Sequence, residues 1–71
     1  LVDLAAERAR LEKELGKLDA DIARIDAKLA NADFIARAPE EVVEEQKERR
    51  EAALLRQGKI REALARLAGA A

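Results

Sequence analysis

At 71 residues the chain has room for one small domain. Hydrophobic residues make up 49% but alanine supplies much of that share, 41% of residues are charged, and Phe34 is the single aromatic, so a long helix or coiled coil is expected and a thick globular core is excluded. The net charge of −1 gives no overall pull towards nucleic acid or anionic lipid, so any such partner must be met by an uneven distribution of charge.

The first element is a helix expected over about residues 1–31. Leu1, Leu4, Leu11, Leu15, Leu18, Ile22, Ile25 and Leu29 alternate three- and four-residue steps, the spacing of a coiled-coil seam, with Arg8 as its polar break. Leu15, Ile22 and Leu29 take a positions, and Leu4, Leu11, Leu18 and Ile25 take d positions. Arg8 can lay its aliphatic stem on the seam and keep its guanidinium in water. The outward row Val2, Ala9, Gly16, Ala23, Ala30 has two readings, neutral filler or a smooth face for another backbone. Asn31 is suited to stop the helix.

The tip spans about residues 32–38. Phe34 is suited either to stack on an exposed base or, the commoner role, to plug the mouth of a hairpin together with Ile35. Arg37 suits a phosphate contact or a solvated turn. Pro39, the only proline, has the fixed φ of a first helical turn and no N–H to leave unpaired, so the second helix is expected from there to about residue 68. Glu40, Glu41, Glu44 and Glu45 then sit at the positive end of that helix's dipole, which accounts for the acidic cluster without a metal or catalysis. Val43, Gln46, Arg50, Ala53, Gln57, Ile60, Leu64 and Leu67 repeat the seam spacing, with a polar middle, and Gly69 reads as a stop.

Two long helices joined by so short a turn pair antiparallel, giving an all-α fold: a coiled-coil helical hairpin ~40 Å long at ~1.5 Å per residue. The expected register sets Leu4 by Leu64, Leu11 by Gln57, Leu18 by Arg50 and Ile25 by Val43, with a register one heptad along left open. It matches Glu14 with Arg56, Asp21 with Arg49 and Asp19 with Lys47 across the helices, while Glu14 with Lys17 and Asp21 with Arg24 are pairs within the first helix. One flank, the c and g positions, carries Arg10, Lys17, Arg24, Lys28, Arg49, Arg56, Lys59 and Arg66 and is net basic; the b and e flank is net acidic.

The chemistry of the chain is bounded by what it lacks. Without Cys or His, disulfides and the common zinc ligand sets are excluded. Without Ser, Thr or a Gly-rich loop, nucleophilic and phosphate-cradling motifs are absent, so no catalytic residue, cofactor site or metal site is expected in this segment. No apolar run nears the ~18 residues of a membrane span, and these residues show no signal-peptide pattern. A cytoplasmic location without membrane contact is expected. The start at Leu1, in mid-heptad and without Met, reads as a piece of a longer chain.

The tip order Asn31, Phe34, Arg37-Ala38-Pro39 and Val42-Val43, set between a leucine-rich helix and a charged one, resembles the C-terminal coiled-coil arm of bacterial valyl-tRNA synthetases over essentially the whole chain. Asp33 stands where that arm often has Gly. The resemblance implies a non-catalytic arm that leans on the outer corner of tRNA, where the D and T loops meet, and positions it for aminoacylation. It implies a valine-specific tRNA and the remaining synthetase domains as partners, with ATP used by the parent enzyme. From the face pattern alone, the RNA-contacting residues are expected to be Arg10, Lys17, Arg24, Arg56, Lys59 and Arg66. Lys28 and Arg49 rank lower, as residues engaged within the hairpin; Phe34, Arg37 and Pro39 shape the tip. The alternatives are a hairpin of a translation-associated ATPase and a structural coiled coil for protein partners.

Overall fold

The computed structural model describes residues 3–70, the side chain of residue 70 excepted, and the expectations for Leu1 and Val2 lie outside the described residues. The fold is all-α, with α1 at Leu4–Ala30, α2 at Ala32–Arg37 and α3 at Glu40–Ala70. Its long axis extends 52 Å against 16 and 14 Å across, so the molecule is a rod.

Each helix start has a local cause. The Asp3 carboxylate accepts from the Ala5 and Ala6 N–H groups, both at 3.1 Å, and caps α1. Asn31 ends α1, its N–H donating to the Lys28 carbonyl at 3.1 Å, and at once opens α2, its side-chain oxygen accepting from Asp33 N at 2.9 Å and Phe34 N at 3.3 Å. The tip is therefore helical rather than a loop, which corrects the two-helix expectation. Six residues are too few to display a helical period in sequence, and the signal lay in the capping asparagine alone. Asp33 adopts ordinary helical geometry, and no described residue has positive φ, so the turn has no need of glycine there.

Ala38 is extended, at φ −73° and ψ 143°, as a residue before proline must be. Pro39 stands at the cap of α3 rather than within its first turn. Its carbonyl accepts from Val42 and Val43 N–H groups at 3.0 and 3.2 Å. At the far end α3 runs through Gly69 to Ala70, because Gly69 keeps a right-handed φ and forms no left-handed cap.

The core is a single seam between α1 and α3. Leu11 and Ile25 are buried on α1, with Leu15, Leu18, Ile22 and Leu29 half-buried; Gln46, Ala53, Gln57 and Ile60 are buried on α3. Leu4 and Arg8, nearer the open end, are exposed. Partner numbers fall along α3 as they rise along α1: Arg56 bonds Glu14, Gln57 bonds Leu15 and Asp19, and Arg50 bonds Asp26.

The register differs from the expected one by about a helical turn. Gln57 lies by Leu15, its Nε2 at 3.5 Å from the Leu15 carbonyl, instead of by Leu11. Arg50 reaches Asp26 at 2.6 Å instead of lying across Leu18. Ala53 shares a hollow with Leu18, and continuing the antiparallel register from Gln57 by Leu15 sets the buried Ile60 near the buried Leu11. The slide brings Ala53 beside Leu18 and keeps two buried glutamines in the seam, Gln57 by Leu15 and Gln46 by Ile25.

Candidate nucleic-acid interface

The interface is built from helical rows, so its geometry follows from the seam. Of the cross-helix ion pairs expected, Glu14 with Arg56 is present, Arg56 Nε and Nη2 reaching the same carboxylate oxygen at 3.0 and 2.9 Å. Asp19 does not meet Lys47. In the slid register the Gln57 amide donates to Asp19, and Lys47 turns to Glu44 on its own helix at 3.5 Å. Asp21 and Arg49 border a common hollow without an ion pair, and Asp21 instead lies 3.8 Å from Arg24. Glu14 is taken by Arg56, so the expected pair with Lys17 does not form.

The six cations singled out by pattern are all exposed but differ in availability. Arg10 is held by Glu7, one turn back; the hydrogen bond from the guanidinium to Glu7, and then Glu7's charge, raise its affinity for its proton above the ordinary arginine value. Arg24 is loosely held by Asp21, and Arg56 firmly by Glu14. Lys17, Lys59 and Arg66 have no acidic partner among the described residues. Lys28 and Arg49, ranked lower from the sequence, are equally without one, and the reason is the slide that sends the nearby acids elsewhere. Asp26, paired with Arg50, had no sequence signal beyond its place beside the seam.

At the tip, Phe34 is half-buried and shares a shallow groove with Asn31, Asp33, Arg37 and Ala38. Ile35 is 42% exposed and does not join it as a plug. Successive residues of a helix point about 100° apart, so both side chains of α2 cannot face the same gap. Arg37, at the C-terminal end of α2, has no ion-pair partner among the described residues. Among the described residues no three acidic side chains gather into a metal-sized cluster, and no helix is long and apolar enough to cross a membrane.

A basic flank on a two-helix seam is a shape many proteins share, and comparison with known sequences separates them. Residues 3–68 match the family model described as the valyl tRNA synthetase tRNA binding arm. The chain belongs to that family. The arm is 65% identical over 70 residues to the valine-tRNA ligase of Rhodopseudomonas palustris, covering 99% of this chain and 7% of that protein. It is 61% identical over 67 residues to the valine-tRNA ligase of Bradyrhizobium diazoefficiens, covering 94% and 7%, and 48% identical over 67 residues to that of Caulobacter vibrioides, again 94% and 7%. The arm thus spans about 7% of the length of these curated relatives. No solved structure matches it.

Proposed function

We propose that this chain is the tRNA-binding arm of a valyl-tRNA synthetase, an antiparallel coiled-coil hairpin that presses its basic flank on the outer corner of tRNA and steadies it for aminoacylation. The observation that carries the reading is the family match across residues 3–68. Exposed cations, which the heptad pattern assigns to one flank, supply a physical means for it. Lysine and arginine on a rod fix the register of a nucleic-acid backbone without reading bases, and a chain with one aromatic is poorly equipped to read single-stranded sequence.

The arm has no Ser, Thr, Cys or His, so activation of valine with ATP falls to the remaining domains of the parent enzyme. Those domains and a valine-specific tRNA are its partners, and the cytoplasm, where translation takes place, is its setting.

Filter binding of the arm to an intact tRNA and to a minihelix lacking the D and T loops tests the proposal. Tighter binding to the intact L-shape, weakening as salt rises because phosphate contacts release counterions, is expected. Equal, salt-insensitive affinity for both RNAs would overturn it.

A further inference from the structure

The slid register brings cations from both helices to the rim of a common depression. Arg24 and Lys28 of α1 stand one turn apart, Arg49 of α3 lies across from them, and Ile25 and Gln46 form the floor between. The hollow has a volume of about 90 Å³. Since one water needs about 10 to 15 Å³ on this measure, the hollow has room for the oxygens of a phosphate.

The three cations answer to a single acid, Asp21, which shares the hollow and lies 3.8 Å from Arg24. Elsewhere on the flank Arg10 is held by Glu7 and Arg56 by Glu14, while Lys17, Lys59 and Arg66 have no acidic partner among the described residues. Lys28 also sits in the last turn of α1. There the helix dipole offsets part of the charge repulsion from its neighbours. A second hollow continues along the seam from Asp21 and Arg49 towards Leu18 and Ala53, an apolar bed on which a ribose can lie.

We infer that Arg24, Lys28 and Arg49 form the arm's principal seat for an RNA backbone phosphate, with the adjoining sugar on the apolar hollow beside Asp21. This inference rests on the tRNA-binding reading above and specifies where on the arm it operates. The seat depends on the fold-back, because neither helix alone assembles it. It also places Lys28 and Arg49 ahead of Arg10 and Arg56 as RNA contacts.

The test is tRNA affinity of the arm across a salt series for three proteins of comparable helicity by circular dichroism: the native chain, the triple variant Arg24→Gln/Lys28→Gln/Arg49→Gln, and a control with the same change in charge, Lys13→Gln/Lys47→Gln/Arg61→Gln. The seat variant should lose about tenfold or more in affinity, with a salt slope shallower by roughly one for each cation that meets a phosphate. The control should lose less than about threefold. The single variant Lys28→Gln, at an exposed side chain without an ion pair, carries the same test if the triple loses helicity, and its slope should fall by about one. A native chain that binds tRNA while both triples weaken alike, or a Lys28→Gln slope that does not change, overturns the seat and leaves the arm's function standing. A native chain that fails to bind tRNA overturns both.

Discussion

Gln57 shows how much one side chain decides here. It is 2% exposed on a seam whose other buried polar residue is Gln46, and its amide is satisfied by the Leu15 carbonyl and the Asp19 carboxylate. Removing its atoms leaves a gap in a thin core, so Gln57→Ala is expected to cost about 1 to 3 kcal/mol in urea unfolding. Gln57→Leu should be close to neutral, because Asp19 is exposed and can turn to water. Gly16 offers the opposite case. A Cβ placed there meets nothing within 4 Å, and the backbone is already helical. Gly16→Ala is therefore expected to stabilise the chain by about 0.8 to 1 kcal/mol; a loss of tRNA affinity in that variant would instead favour the smooth-face reading of its row. Arg10 is accessible but committed to Glu7. Glu7→Gln should free it and strengthen tRNA binding about twofold to threefold at low salt, read by the same filter assay, since a solvent-exposed pair of this kind holds only weakly.

The elements carry the clearest lesson about what a sequence discloses. The seam was legible because its period is strong: Leu11, Leu15, Leu18, Ile22, Ile25 and Leu29 are all buried or half-buried. The slide between α1 and α3 was not, because heptad spacing leaves the helices free to shift, and the choice falls to which side chains share a layer. A double-mutant cycle of Leu11→Ala and Ile60→Val should show coupling of about 0.5 kcal/mol or more, whereas Leu11→Ala and Gln57→Ala should couple less. Availability of the cations was hidden for the same reason. Lys28 and Arg49 looked engaged until the register that would have engaged them moved. The tip helix depends on Asn31, and Asn31→Ala should fray α2 at a cost of about 1 kcal/mol, seen as earlier amide exchange at Asp33 and Phe34. Leu55, 65% exposed on the outer surface of α3, has no seam role. Leu55→Glu should leave the unfolding midpoint within about 0.5 kcal/mol of native.

The whole molecule is a rod 52 Å long whose charge of −1 conceals two unlike flanks. Folding back is what sorts them. Each helix alone carries acids and bases around its circumference, and only the pairing of α1 with α3 consumes Asp26, Asp19 and Glu14 at the seam edges while leaving Arg24, Lys28 and Arg49 around one hollow. A rigid two-helix rod suits a positioning role, since it presents its cations at fixed spacing and needs no catalytic group of its own. An NMR titration of the isotope-labelled arm with intact tRNA tests this most directly, residue by residue. Perturbations should concentrate on the flank of Arg24, Lys28 and Arg49 and spare Glu12, Glu44 and Glu51; shifts spread evenly over both flanks, or confined to the acidic one, would contradict it.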